Sequence, residues 1–281
     1  MALPSPKQLL QKYALSPKYS FGQNFLTDRN IARKIADLAA PETGLTIIEI
    51  GAGLGALTEH LIATGNEVIA IERDRDLVPV LEDIFAEQVS SGQLRVVEAD
   101  AKTADWRALF GEVERPVIAG NLPYQITGPL IEKTIQHAAE IDRATFLVQK
   151  EVAERLSASP STKAYGALSV FTQAQFEVKK ALVIGGQAFV PPPRVDSAVV
   201  TFVPRASACD EDRVLQQVVK LAFGARRKTL RNAWKSLAPI DELQSVAAEV
   251  GFELSQRGET LSVDQFLEIA ASFRRRRVGA E

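Results

Sequence analysis

The sequence predicts an α/β fold: a largely parallel sheet with helices on both faces, followed by a small helical domain. Three observations carry this. Short apolar, β-branched runs alternate with helical patterns from residue 46 to 156. The first of those runs leads at once into a glycine-rich turn, and from about Ala206 the pattern becomes wholly helical. Strands that alternate with helices pair in parallel, because each crossover brings the chain back to the same end of the sheet.

The elements follow in order. Residues 1–20 form a basic arm, and 21–205 hold the alternating pattern. In RNIARKIADLAA, Ile31, Ile35, Leu38 and Ala39 recur at helical spacing, with Thr27 or Asp28 as cap. TIIEI (46–50) is a buried strand, and GAGLGALTEHL is a turn into a helix that Gly65 can close. VIAIE (68–72), RVVEAD (95–100), PVIAGN (116–121) and TFLVQ (145–149) are further strands. Between them lie helices at 76–89, where Pro79 is tolerated in the first turn, and from Gly128; KEVAERL (150–156) is helical too. FEVKKALVI (176–184) and SAVVTFVP (197–204) suggest an antiparallel hairpin at the sheet's end. A boundary is expected in the polar stretch at 205–212, leaving 206–281 as the helical domain. There VLQQVVKLAF (214–223) is helical, and a last helix starts at Ser262, which has capping-box spacing to Gln265.

The 281 residues suffice for one large and one small domain, and 46% hydrophobic with 24% charged residues is ordinary for a globular enzyme. No apolar run nears the roughly 18 residues a bilayer requires. The first residues show no secretory core, and the single cysteine, Cys209, excludes an internal disulfide and a cysteine-rich metal site. His60 and His137 are the only histidines, so no metal is expected. The expectation is a cytoplasmic protein, away from membranes and monomeric, since no heptad run or long apolar stripe is present. Net charge is −2, distributed as +3 over residues 1–27, −7 over 28–204 and +2 over 205–281. Phosphate affinity follows local patches rather than the total, and the two basic ends are compatible with a nucleic-acid partner.

The strongest local motif is EIGAGLGALT (49–58). Gly51, Gly53 and Gly55 permit a tight turn and a close ligand, and the next helix offers amides. Glu72 ends the following strand, where a carboxylate can accept both ribose hydroxyls. By itself this indicates an adenosine-containing cofactor, since Gly51, Gly53 and Ala56 also satisfy a dinucleotide pattern. Asp100 closes the third strand, placed to accept adenine amino hydrogens, and Asn121 closes the fourth and begins NLPY (121–124). These signals share the carboxyl rim of consecutive strands, where such sheets bind ligands. An exocyclic adenine amine is a poor nucleophile because its lone pair is delocalised into the ring. The Asn121 side-chain oxygen and the Leu122 carbonyl can hold its N–H groups so that the nitrogen is closer to tetrahedral and its lone pair points at an electrophile. Pro123 rigidifies the turn and Tyr124 offers a face to a base. Catalysis of this kind rests on positioning and needs no strong base.

With these motifs in place, the chain resembles the ribosomal RNA adenine N6-dimethyltransferases of the bacterial small-subunit (KsgA/RsmA) type. The segments that carry the resemblance run from about Phe21 to Phe273: FGQNFL (21–26), EIGAGLGALT, IERDRDL (71–77), NLPY, LVQKEVAERL (147–156), KAYGALSV (163–170), FVPPPRVDSAVV (189–200), RRKTLRN (226–232) and LSVDQF (261–266). The resemblance implies a class I, Rossmann-like S-adenosylmethionine-dependent methyltransferase domain with a small helical RNA-binding domain. It implies cofactor contacts from Asn24, Leu26, Gly51, Glu72, Asp100 and Asn121; from the residues alone QNFL reads as a turn leading into a helix. It implies that Phe189 stacks with Tyr124 on the target base, whereas its surroundings also suit core packing beside Pro191–Pro193. The implied substrate is a pair of adjacent adenosines in a loop near the 3′ end of 16S rRNA, within the immature 30S subunit. A base inside a helix must be splayed out to reach such a pocket. Arg226, Arg227, Lys228 and Arg231 are the best phosphate-binding candidates. The RRRR run (274–277) reads either as a second patch or as a tail.

Two departures stand out. Tyr19-Ser20 precede FGQNFL where the family usually has a basic residue, and Ala52 replaces a frequent proline. The rival activities are the resistance enzymes that methylate large-subunit rRNA, a mitochondrial relative doubling as a transcription factor, a ribosome-assembly factor with secondary catalysis, and a nicotinamide dehydrogenase.

Overall fold

The computed structural model describes residues 3–206, 212–225 and 227–278. They pack as two compact units: the chain up to Ala153 with Lys179–Pro204, and Glu154–Val178 with the chain from Arg205 on.

The first unit opens with α1 (Pro6–Lys12), inside what the sequence presents only as a basic arm. Its signal is local: Ser5 and Gln8 form a capping box, the Gln8 Oε1 accepting the Ser5 N–H at 2.9 Å, and Pro6 starts the helix. β1 (Phe25–Leu26) precedes α2 (Arg29–Ala39), whose cap is Asp28, accepting from the amides of Asn30 and Ile31. Thr27 instead donates to the Ala188 carbonyl at 3.0 Å. Then come β2 (Thr46–Ile50), α3 (Thr58–Ala63), β3 (Glu67–Glu72), α4 (Val78–Ile84), α5 (Ala86–Ser90), β4 (Leu94–Glu98), α6 (Trp106–Phe110), β5 (Val117–Asn121), α7 (Thr127–Gln136) and β6 (Arg143–Gln149). The single helix expected at 76–89 is two. Phe85 leaves helical geometry (φ −116°, ψ 29°), and its ring lies where a Cβ on Gly55 would be, 2.5 Å from Cε2. The glycine turn therefore needs a glycine at 55 both for its φ of +80° and for this ring.

The sheet order is β4-β3-β2-β5-β6-β9-β7, with β7 spanning Phe176–Ile184 and β9 Ser197–Pro204. The first five pair in parallel; β9 runs antiparallel to β6, and β7 is its outer neighbour, so the expected strand pair does close the sheet. Ile47, Val117 and Ala119 are fully buried, as in a parallel sheet covered on both faces. Each isoleucine or valine so placed contributes about 1.5–3 kcal/mol of burial. A second, two-stranded sheet pairs β1 antiparallel with β8 (Phe189–Val190), Leu26 opposite Phe189.

The second unit holds the end of α8 (Lys150–Leu156), α9 (Ala167–Gln175), α10 (Arg213–Gly224), α11 (Leu230–Ala233), α12 (Ile240–Val250) and α13 (Val263–Val278). The expected boundary leaves residues 154–178 in the larger domain; in the structure they pack with this unit instead. The reason is burial: Tyr165, Val170 and Ala174 join Val218, Leu230, Trp234 and Phe266 in one apolar core. Trp234 Nε1 donates to the Val218 carbonyl at 3.0 Å, and its ring meets Phe252 edge-on at 5.8 Å. The capping box at Ser262 forms as spaced. The RRRR run is helical in α13 rather than a tail. Three of its four arginines pair with acids: Arg274 meets Asp212 at 2.6 Å, while Arg275 and Arg276 meet Glu249 at 2.5 and 2.8 Å. The Ser272 hydroxyl first, and then Arg276 and Arg275, bring the Glu249 carboxyl down to about 2.

Candidate active site

The strand order reverses at β2, which lies between β3 and β5. Beyond the carboxyl ends of such strands the connections diverge and leave a crevice. A cleft of about 1080 Å3, open mouth included, occupies this position. Its walls come from residues 20–26, the glycine turn, Glu72-Arg73, Asp100 and the segment 121–126. Asn24, Leu26, Gly51, Glu72, Asp100, Asn121, Leu122, Pro123 and Tyr124 are all brought to it.

Gly120 explains how β2 and β5 converge there. A Cβ at this position would lie 2.5 Å from the Ile50 carbonyl oxygen, which is backbone and cannot yield. The absence of that methyl lets the strand ends close until Gly51 faces the Asn121 carbonyl, 3.7 Å from where its own Cβ would stand.

Glu72 is 7% exposed. Its two oxygens accept the Gly53 and Asp74 amides, each at 2.8 Å, so this carboxylate ties the glycine turn to β3. Burial pushes its pKa up, opposed by those amides. Beneath it Glu49, 1% exposed, accepts the Thr58 hydroxyl at 2.6 Å. Burial first, and then the neighbouring Glu72, push Glu49 up to about 7 against that hydrogen bond. The turn's amides serve the fold: Gly51 and Ala52 donate to the Ile71 carbonyl, Gly53 to Glu72 and Gly55 to the Ala52 carbonyl.

Asp100 lies two residues past the end of β4 rather than closing it. One oxygen accepts the Lys102 amide at 3.0 Å and the other faces Arg73 Nε at 3.3 Å. Arg73 in turn sits 4.9 Å from the centroid of the Phe21 ring.

Asn121 is oriented by the segment that follows the arm. Its Nδ2 donates to the Asn24 carbonyl at 3.0 Å, which leaves Oδ1 as the free acceptor of the amide. Asn24 closes on the Gly22 carbonyl at 3.1 Å. The Leu122 amide donates to the Leu147 carbonyl at 3.0 Å, and no described donor reaches the Leu122 carbonyl. Thr127 holds the Pro123 carbonyl at 3.1 Å. The Tyr124 hydroxyl shares a 2.6 Å hydrogen bond with Ser197, and burial raises its pKa. Ser197 was no candidate in the sequence, yet this buried residue of the FVPPPRVDSAVV segment sets the Tyr124 ring. Phe189, the candidate from that segment, is not on the cleft wall. It is 2% exposed and packed in the core opposite Leu26. In this position it backs the strand that carries Leu26.

Two of the arm's three lysines face protein acids. Lys12 pairs with Asp83 at 3.2 Å, and Lys18 with Asp74 and, at 2.6 Å, with Asp76. In the second unit Arg227, Lys228 and Arg231 are exposed and have no ion pair among the described residues. Arg226 lies outside the described residues, as does Cys209. No group of three or more potential metal ligands occurs among the described residues, and no described helix is long and apolar enough to cross a membrane.

The family model for ribosomal RNA adenine dimethylase matches residues 14–275. The chain is 42% identical over 276 residues to a protein named Ribosomal RNA small subunit methyltransferase A from Anaeromyxobacter dehalogenans, covering 94% of this chain and 95% of that one. A protein of the same name from Listeria welshimeri is 39% identical over 277 residues, covering 94% and 92%. Among solved structures, a dimethyladenosine transferase from Plasmodium falciparum superposes with a TM-score of 0.76 at 25% identity, over 89% of this chain and 98% of that one. The 23S rRNA methyltransferase ErmE gives 0.70 at 25% identity, over 89% and 100%. These matches span both units and the whole of the cleft, and the chain belongs to the ribosomal RNA adenine dimethylase family.

Proposed function

We propose that this chain uses S-adenosylmethionine to dimethylate the N6 amines of two adjacent adenosines in a loop near the 3′ end of 16S rRNA, within the immature 30S subunit in the cytoplasm. The observation that carries the chemistry is the Asn121 side chain, whose amide nitrogen is held by the Asn24 carbonyl while its oxygen remains free beside an acid-lined cleft.

The donor set fits the cofactor. Glu72 retains a lone pair on each oxygen for ribose hydroxyls, and Asp100 can accept from an adenine amino group. The carboxyl groups of Glu72 and Asp100 on the cleft wall suit a ligand that brings hydroxyl and amino donors and a positive charge. Bound there, S-adenosylmethionine supplies a methyl group on an electrophilic sulfonium. Asn121 Oδ1 and the Leu122 carbonyl accept the two N6 hydrogens and hold the nitrogen with its lone pair directed inward. Tyr124, fixed through Ser197, offers its ring to the adenine face. The alkylated amine is acidic and passes its proton to solvent, so no residue acts as a strong base. After the first transfer one N–H remains, and a single acceptor suffices to hold it.

RNA affinity comes from Arg226, Arg227, Lys228 and Arg231, which neutralise phosphates without reading sequence. The protein acts as a monomer and needs no metal.

Calorimetric titration with S-adenosylmethionine and NAD, followed by transfer of labelled methyl groups to unmethylated small subunits, large subunits and naked rRNA, tests this assignment. Binding of the first cofactor alone, with label confined to small subunits, is the expected result. Label on large-subunit RNA moves the chain to the resistance activity, and NAD binding overturns the reading.

A further inference from the structure

We propose that Tyr19 is a stacking platform for the unpaired RNA base next to the adenosine in the cleft; this rests on the RNA-methylating activity proposed above. Tyr19 is 85% exposed. The other large apolar side chains that stand exposed are aliphatic and lie between 36% and 54%, so Tyr19 is both the most exposed and the one aromatic among the described residues. Its ring has no hydrogen bond or ring contact there, and nothing in the fold requires an aromatic at this place.

The turn beneath it is fastened on two sides. Tyr19–Phe21 form a single 3-10 turn closed by the Gly22 amide on the Tyr19 carbonyl at 3.1 Å. The same carbonyl accepts the Gln125 side-chain amide at 3.2 Å, and Gln125 directly follows Tyr124. On the other side Lys18 joins Asp74 and Asp76, while Gln23 donates to Asp74 at 2.8 Å. Residues 20–26 then form the cleft wall. Tyr19 is thus held at the rim, bonded through its backbone to the loop that receives the target base. A base splayed into the cleft forces its chain neighbours out across this rim, where they have lost their own stacking partners.

The chemistry of the rim favours a base over a phosphate. Lys18, the nearest cation on the arm, is committed to two carboxylates, and Lys12 to a third. What the turn presents outward is an aromatic face, and unpaired bases stack on such faces with little regard to sequence. Because the turn is already fixed, little ordering cost is added on binding.

The test uses the full-length protein with unmethylated small subunits, comparing wild type with Tyr19→Ala, Tyr19→Phe and Tyr19→Lys. The support for stacking is a KM for subunits raised about tenfold in Tyr19→Ala, with kcat within about twofold, and recovery in Tyr19→Phe. The Kd for S-adenosylmethionine should be the same in all four proteins. A Tyr19→Ala protein with wild-type KM overturns the proposal. So does full recovery by Tyr19→Lys with a steeper salt dependence, which marks a phosphate contact, or a cofactor Kd that moves as far as KM, which marks a wall residue. Subunit binding by filter retention is measured in parallel with S-adenosylhomocysteine present. If wild type transfers no methyl group, the function proposed above falls; weaker retention of Tyr19→Ala still supports the platform and equal retention overturns it.

Discussion

Replacing Asn121 separates binding from chemistry. Asn121→Ala removes the 3.0 Å hydrogen bond to the Asn24 carbonyl, worth about 1 kcal/mol, and removes the Oδ1 acceptor altogether. An acceptor aimed at charge that develops in the transition state contributes about 100- to 1000-fold in rate, roughly 3–4 kcal/mol. Asn121→Asp keeps the shape but sets an oxygen against the Asn24 carbonyl, so the side chain must swing away and the segment 20–26 loses its tether. Both variants are expected to lose at least about 100-fold in single-turnover methyl transfer. The cofactor Kd should rise more in Asn121→Asp, since residues 20–26 form the cleft wall. Subunit binding should match wild type, because the candidate phosphate contacts lie elsewhere in the chain. A rate loss under about tenfold would refute the view that this amide holds the amine.

The remaining expectations concern charge and packing. Glu49 has its folded pKa raised from 4.5 to about 7. The folded state therefore holds a proton that the unfolded chain has released, and wild-type stability falls as pH rises between these values, then levels off. Urea unfolding should show a slope on the order of 3 kcal/mol across that window that Glu49→Gln lacks; parallel pH profiles would remove Glu49 as its source. Gly120→Ala places a methyl 2.5 Å from the Ile50 carbonyl, and should cost at least about 2 kcal/mol and weaken cofactor binding, read by thermal unfolding and calorimetry. An unchanged midpoint would show that the strands can part freely. Changing Arg227, Lys228 and Arg231 together to alanine should weaken subunit binding and lower its salt slope by about two, with kcat retained. A slope equal to wild type places the phosphate contacts elsewhere.

The strand-end positions were legible because they follow from order and period. Once 46–50, 68–72 and 116–121 are strands of one parallel sheet, Gly51, Glu72 and Asn121 must share its carboxyl rim. What depends on contacts distant in sequence was not. Asn24 and Leu26 reach the cleft because Phe25–Leu26 pair with Phe189–Val190, and no local pattern in a two-residue strand announces that. The same pairing draws Phe189 into the core, where its sequence context suits stacking equally well. Ser197 is invisible for a related reason: a serine opening a strand has no signature until Tyr124 is found 2.6 Å away. Charge was misleading where acids are near in space only. The basic arm and the RRRR run count as local positive charge in the sequence until Asp74, Asp76, Asp212 and Glu249 are seen against Lys18 and Arg274–Arg276. The segment 154–178 went to the other unit because its apolar residues match a core built from residues after 213.

The most direct test of the account is to digest rRNA from small subunits treated with this protein and S-adenosylmethionine, and to identify the methylated nucleosides and their positions by mass. The account expects N6,N6-dimethyladenosine on two adjacent residues near the 3′ end of 16S rRNA, with none formed by Asn121→Ala. Monomethyladenosine as the end product, a modified base other than adenine, or dimethyladenosine confined to large-subunit RNA would contradict it.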